Sequence, residues 1–278
     1  MQHMRALKMN GLGNEFAIVD ARVQPFRPDE ARVRQLADPK HGFGFDQMFA
    51  LEVPTNPLAD VFMRIWNADG EEVSACGNGA RCVAWLHMEA TGSDHAVIET
   101  AAGLLTAHRA DHGLVTVDMG EPGLDWKQIP LAEAMDTVRI ELQIGPIDAP
   151  LYWGPTAVSM GNPHCVFFVD DITAVDIERV GPLIEGHPLF PERVNVGFAQ
   201  VLAADRIRLR VFERGAGLTK ACGTGACAAL VAAVRRRLTE RKATMVLDGG
   251  ELTIEWRRSN NHVLMTGPVA MDGEKVVQ

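Results

Sequence analysis

A ten-residue pattern occurs twice in this chain, and its two copies restrict the fold more than any other feature. ACGNGARCVA spans 75–84 and ACGTGACAAL spans 221–230. Two weaker echoes keep the same order. GNEFAIVD at 13–20 answers GNPHCVFFVD at 161–170, and GFGFDQMFALEV at 42–53 answers RVNVGFAQV at 193–201. Each echo lies about half a chain from its counterpart, and chance rarely gives three separate blocks one common offset. The chain therefore reads as a duplicated domain, with the join near the loop-like Gly120-Glu121-Pro122-Gly123. The halves are 1–121 and 122–267, and a C-terminal strand over 268–278 can return to the first. A length of 278 residues accommodates two such domains comfortably.

Both halves carry the same coarse pattern. β-rich or alternating runs fall at 16–20, 61–66, 96–100 and 114–117, and again at 166–169, 206–212, 244–247 and 252–256. Each half has one strongly apolar helical segment directly after its Cys-Gly motif. These are 79–90, stopped by Gly92, and 225 to about 238, ending in Arg235-Arg236-Arg237. The second is apolar nearly all round, so it belongs inside a structure. Several strands around one buried helix, twice, is an α+β arrangement. The Pro/Gly-rich stretches 53–57 and 186–191 read as loops.

Composition removes several function classes. Lys and Arg number 27 against 36 Asp and Glu, a net charge of −9, whereas nucleic-acid binders usually show a basic surplus. No window approaches 18 consecutive apolar residues, so no spanning helix is expected. Residues 1–8 lack the apolar core of a signal peptide. Five cysteines, an odd number in a long chain, predict reduced thiols of a cytoplasmic protein.

The duplication sets two cysteines, Cys76 and Cys222, at the starts of two equivalent helices. A helix N-terminus presents N–H groups and partial positive charge, which favour a thiolate over a thiol. The glycines of CGNG (76–79) and CGTG (222–225) let an anionic ligand approach bare backbone. One such motif alone reads as a buried cysteine beside a turn, but two in matching positions point to a shared task. A proton taken from one face of a carbon and returned to the other needs a base and an acid on opposite sides. A carboxylate beside that carbon gains charge as the proton leaves, and helix starts aimed at it stabilise that charge as it forms. This is racemase or epimerase chemistry without a prosthetic group.

With these residues in place, the chain resembles the diaminopimelate epimerase family, the cofactor-independent two-cysteine epimerases of bacterial lysine and peptidoglycan precursor synthesis. The matching blocks are MNGLGNEF (9–16), GFDQ (44–47), NADGEEVSACGNGARC (67–82), GNPHC (161–165), RVNVGF (193–198) and ERGAGLTKACGTGAC (213–227). The resemblance implies two pseudo-symmetric halves, each a mixed sheet wrapped in a barrel-like layer around a central helix, with the site in the cleft between them. It implies conversion of LL- to meso-diaminopimelate, with Cys76 as proton donor and Cys222 as proton acceptor for one direction. Gly77, Asn78, Gly223 and Thr224 would hold the carboxylate at the reacting centre. Asn14, Gln47, Asn67, Asn162, Asn195, Glu213 and Arg214 would hold the rest of the substrate. His164 and Glu213 would tune the thiols. No cofactor and no metal are implied, and a homodimer is.

Two positions depart from the family pattern. Leu218 stands where a polar residue is common, and the tail after Met265-Thr266-Gly267-Pro268 is short and lacks an aromatic residue often found at the dimer contact.

Other readings are weaker. Cys82 and Cys227 fall inside the helices and Cys165 in a strand-like run, so all three read as core. His108 and His112 have the spacing of ligands on a helix but lie in a Gly/Asp turn between strand-like runs. The charge run 235–242 reads as a solvated helix end. A pyridoxal phosphate enzyme needs a Schiff-base lysine, and only Lys220 is near. A redox or metal-binding thiol protein would prefer Cys-x-x-Cys spacing, which does not occur. The nearest rival is a proline or 4-hydroxyproline racemase-type epimerase, which usually carries Cys-Gly-His where this chain has Cys76-Gly77-Asn78.

Overall fold

Residues 206–213 show how this sequence makes its strands. Arg206, Arg208 and Arg210 alternate with Ile207, Leu209 and Val211; the aliphatic set is buried and the arginines are partly solvated. A period of two suits a strand with one dry face. At the end of the neighbouring strand Asp248 pairs with both Arg208 and Arg210. The computed structural model describes residues 4–74 and 76–277. They form an α+β chain that divides into two compact units, Met1–Asp118 with Thr266–Gln278, and Met119–Met265.

The first unit contains β1 (Met4–Gly11), β2 (Asn14–Asp20), α1 (Glu30–Ala37), β3 (Gln47–Glu52), β4 (Val61–Asn67), β5 (Glu72–Val73), α2 (Gly77–Thr91), β6 (His95–Thr100), β7 (Gly103–Arg109) and β8 (Val115–Asp118). The second contains β9 (Gln143–Ile144), β10 (Tyr152–Trp153), β11 (Thr156–Ser159), β12 (Pro163–Phe168), α3 (Ile177–Glu185), β13 (Asn195–Ala203), β14 (Arg206–Glu213), β15 (Gly217–Thr219), α4 (Gly223–Arg235), β16 (Lys242–Leu247) and β17 (Gly250–Trp256). After β18 (Val263–Gly267), the strand β19 (Ala270–Val277) pairs antiparallel with β1, from Met4↔Val277 to Asn10↔Ala270.

The sequence echoes correspond to equivalent strand pairs. β2 and β3 run parallel, joined by a crossover through α1; β12 and β13 run parallel, joined through α3. Each parallel pair continues identically: β3–β4 and β13–β14 antiparallel, β4–β6 and β14–β16 parallel, β6–β7 and β16–β17 antiparallel. The short β5 and β15 fold back antiparallel on β4 and β14.

Within each unit the helix after the Cys-Gly motif is central. α2 packs on β1, β6, β7 and β8, and is buried from Gly77 to Ala84. It ends where Gly92 takes a left-handed φ of 72° and its N–H returns to Met88 O. α4 packs on β11 to β14, β16 and β17, and is buried throughout from Gly225 to Ala233. Cys82, Cys165 and Cys227 are all core residues. His108 lies in β7 rather than in the turn expected for it, and His112 sits in a single 3-10 turn. No helix among the described residues is long and apolar enough to cross a membrane.

Candidate active site

Each helix start is capped by the cysteine that precedes it. Cys76 and Cys222 both have extended backbone, and each Sγ accepts the N–H of the third helical residue, Gly79 or Gly225, at 3.3 Å. The sulfur thus occupies the place of a serine or threonine oxygen at an N-cap. Beyond it, Gly77 and Asn78 in one unit and Gly223 and Thr224 in the other contribute first-turn N–H groups that lack a carbonyl within the helix. Such groups are suited to hold an anion.

The second glycine of each motif has a packing reason that the sequence did not reveal. A Cβ at Gly79 would lie 2.2 Å from Phe49 Cζ on β3. At Gly225 it would lie 2.9 Å from Val211 Cγ2 on β14 and 3.1 Å from the Cys222 sulfur. Glycine at these two positions lets a strand side chain press on the helix start, a requirement that stands beside the ligand access expected from sequence.

In the first unit the tight turn Leu12-Gly13, both residues at positive φ, reverses β1 into β2 and delivers Asn14. Asn14 Oδ1 accepts from the buried Asn78 Nδ2 at 3.0 Å. The register β2–β3–β4 sets Gln47 opposite Asn67, and Gln47 Nε2 donates to Asn67 Oδ1 at 2.9 Å. Cys76 is half-buried.

In the second unit a chain of contacts reaches Cys222. His164 Nε2 meets Asn162 Oδ1 at 3.0 Å, Asn162 Nδ2 donates to Thr224 Oγ1 at 3.3 Å, and Thr224 Oγ1 lies 3.6 Å from Cys222 Sγ. His164 therefore communicates with this thiol indirectly. Burial, with the Arg214 charge, depresses its imidazolium to about 3, so it is neutral near pH 7. The register β12–β13 sets His164 opposite Asn195, whose Oδ1 accepts the Arg214 N–H at 2.9 Å. The Arg214 guanidinium donates to Glu192 O at 2.8 Å, and the residue is exposed.

Electrostatics at Cys222 oppose the expectation of an easily ionised thiol. Burial raises its pKa well above the ordinary thiol value, and the neighbouring Glu213 carboxylate raises it further. The Thr224 hydroxyl and Gly225 N–H pull the other way without winning. Loss of water also raises the Glu213 carboxyl, against the lowering effect of the Thr219 hydroxyl, which donates to its Oε1 at 2.5 Å. Glu213 and Cys222, side by side, thus both favour their protonated forms.

Sequence reasoning assigned no role to three further residues here. Asp46 Oδ2 accepts from Asn14 Nδ2, Thr219 holds Glu213, and the buried Glu185 accepts the Gly215 N–H at 2.7 Å just after Arg214. Asp46 and Thr219 lie within the quoted blocks, so position inside a motif was the available signal. Among the described residues no three His, Cys, Asp or Glu side chains converge as a metal-binding group.

The family model for diaminopimelate epimerase matches residues 6–124 and 156–271. Diaminopimelate epimerases of Phenylobacterium zucineum and Caulobacter vibrioides are 60% and 57% identical to this chain over 266 and 272 residues. Each alignment covers 96% of this chain and 95% or 94% of the relative. The crystal structure of a hydroxyproline epimerase from Agrobacterium vitis aligns with a TM-score of 0.72 at 17% identity, covering 100% of this chain and 91% of its own. At that identity the likeness speaks for the fold alone.

Proposed function

The chain belongs to the diaminopimelate epimerase family, and from that premise we propose that Cys76 and Cys222 are the proton carriers of a two-base, cofactor-independent epimerisation of LL- to meso-diaminopimelate. The observation that carries the reading is the matched pair of caps: two cysteines, each the N-cap of the central helix of its unit, each with Sγ 3.3 Å from a helical N–H. A thiolate accepts that bond better than a thiol, so the helix start favours the sulfur as the proton departs.

The chemistry follows from these groups. One thiolate takes the Cα proton, and the electron pair of the C–H bond moves into the adjoining carboxylate. The first-turn donors at Gly77 and Asn78, and at Gly223 and Thr224, meet the charge that accumulates there. The other thiol returns a proton to the opposite face, which inverts the centre. When Cys222 is the base, its proton passes first to the neighbouring Glu213, whose raised carboxyl is a better acceptor than an ordinary one. Thr224 and Gly225 then stabilise the thiolate left behind. Asn14, Gln47, Asn67, Asn162, Asn195, Glu213 and Arg214 bind the remainder of the substrate, with the Arg214 guanidinium on the distal carboxylate. His164 stays neutral and orients Asn162.

A small-molecule substrate and no nucleic acid suit the net charge of −9. A homodimer, a cytoplasmic setting and a role in lysine and peptidoglycan precursor synthesis complete the proposal.

The test is solvent-deuterium incorporation at Cα of LL- and meso-diaminopimelate, with proline and 4-hydroxyproline as controls. Incorporation should occur with diaminopimelate alone and disappear in Cys76→Ala and in Cys222→Ala, each with an unchanged circular dichroism spectrum. Full turnover by either variant would remove the two-thiol assignment. Exchange of proline in place of diaminopimelate would move the substrate to the smaller class.

A further inference from the structure

Four side chains of the first unit form a hydrogen-bonded chain whose direction is dictated by its ends. Arg81, fully buried on α2, donates from Nη1 to Asn78 Oδ1 at 2.9 Å. Asn78 Nδ2 donates to Asn14 Oδ1 at 3.0 Å. Asn14 Nδ2 donates to Asp46 Oδ2 at 3.3 Å, an oxygen that also accepts the Glu15 N–H at 2.9 Å. A guanidinium can only donate, and a carboxylate can only accept. Asn78 must therefore turn its amide oxygen to Arg81, and Asn14 must turn its amide nitrogen to Asp46. The middle bond is then satisfied in one sense only.

This order matters because an amide rotated by half a turn fits the same space but shows a ligand the opposite polarity. Only N–H groups suit a carboxylate. α2 also lies close to the hairpin that carries Asn14: a Cβ at Gly11 would stand 3.4 Å from Arg81 Nη2 and 3.4 Å from Asn78 O. A buried cation is costly to fold, and in the repeat alignment its counterpart on α4 is Cys227, so the duplicated scaffold itself does not require it.

We propose that Arg81 and Asp46 are positioning residues that set the amide polarity of Asn78 and Asn14, and so make the first half-site a donor-lined holder for a substrate carboxylate. The inference rests on the assignment of Asn14 and Asn78 to substrate binding. It has a distinctive consequence. Either end alone suffices to orient both amides, because each amide passes the constraint to the next. Only loss of both ends lets them rotate.

The experiment compares Arg81→Met, Asp46→Ala and the double variant, measuring kcat and KM for diaminopimelate with a melting temperature for each. Each single change should raise KM by no more than about fivefold. The double should raise it at least about tenfold beyond the product of the singles, a coupling within the range for groups of one network. Multiplicative KM effects would overturn the proposal, even if Arg81→Met lowers the melting temperature, since a merely structural arginine predicts that outcome. Should Arg81→Met not fold, Arg81→Lys with Asp46→Ala carries the comparison. An ammonium also only donates, so this double should match Asp46→Ala, and a further loss beyond about tenfold would overturn the idea. Asn14→Ala and Asn78→Ala separate the two levels. Unchanged KM in both removes the site assignment itself, whereas raised KM in both with multiplicative Arg81 and Asp46 effects removes only the polarity argument.

Discussion

Replacing Gly79 by alanine should unsettle the first unit, whereas the same change at Gly225 should act mainly on a thiol. The new methyl at position 79 would lie 2.2 and 2.5 Å from two carbons of the Phe49 ring. Carbon atoms rest comfortably at about 3.5 Å, so the ring must retreat by roughly 1 Å or more. Phe49 is fully buried and its ring centroid stands 4.9 Å from that of Phe16, so the retreat displaces a second ring. Alanine in a helix gains about 1 kcal/mol over glycine. Overpacking typically costs about 1–3 kcal/mol, and an overlap this deep belongs at or above the upper end. The net loss is about 2 kcal/mol, a fall of about 4–8 °C in melting temperature. At Gly225 the methyl meets one valine methyl at 2.9 Å, so a shift of roughly half an ångström relieves it, and the helical gain offsets most of the cost. Its other neighbour is the Cys222 sulfur at 3.1 Å. Displacing a proton carrier by part of an ångström should lower exchange at Cα by about tenfold or more. Thermal melts followed by circular dichroism, and deuterium exchange at Cα, measure the two effects separately. A Gly79→Ala protein that melts at or above the parent temperature would refute the packing argument, as would a Gly225→Ala protein that melts as far below the parent as Gly79→Ala is expected to.

Three further outcomes follow from the charges. Because Glu213 raises the Cys222 thiol, Glu213→Gln should let iodoacetamide label Cys222 at lower pH than in the parent; peptide mass spectrometry reads the onset, and an unmoved onset would count against the pairing. His164 has a folded value of about 3 against 6.5 unperturbed, so the stability linked to it is complete above 6.5 and is lost as pH falls toward 3, by up to about 1.4 kcal/mol per pH unit. Urea midpoints near pH 7 and pH 5 should therefore fall further apart in the parent than in His164→Gln, and equal losses would contradict its neutrality. Arg214→Ala should reduce kcat/KM for diaminopimelate more than Arg214→Lys does, because an ammonium cannot grip a carboxylate with two parallel bonds; equal effects would remove that residue from the distal carboxylate.

The elements legible in the sequence were those with an unbroken local signal. The run 206–212 alternates strictly and is a strand to Glu213; α2 stops at the glycine that marks its end. α4 ends at Arg235, short of 238, because the chain turns within the arginine run, where Arg237 takes a φ of 59°. α3 was hidden because Gly181 and Pro182 interrupt it. Yet Gly181 is there because a Cβ would stand 2.6 Å from the Phe212 ring, a contact no local pattern announces. α1 has a clear cap in Asp29, whose side chain accepts the Arg32 N–H, but only Val33 and Leu36 are buried over its eight residues. The stretch 124–155 buries Ile129, Leu131, Ile140 and Leu142; Val138 to Ile144 alternate apolar and polar, yet only Gln143–Ile144 form a strand there, so the period marks burial more than a ladder. At the candidate site, residue types and motif blocks pointed to the cysteines and amides. The state of Cys222 was not legible, since it depends on burial and on Glu213, which arrives from β14.

The pairing of β1 with β19 governs the order in which the molecule can assemble. β1 lies between β2 and β19, so the sheet of the first unit stays incomplete until residues 270–277 have been synthesised. Met119–Met265, by contrast, is one continuous stretch and can fold as soon as it emerges. The half made first is therefore the half finished last. Meanwhile β1 offers an open row of N–H and C=O groups, a template for wrong pairing with another nascent chain. Joining strands this far apart in sequence adds little to the entropy of closure, which grows only with the logarithm of loop length, but contacts of such separation form slowly. The interval between synthesis and closure is thus when this protein is most exposed to aggregation, and when a chaperone that shields strand edges would have most effect.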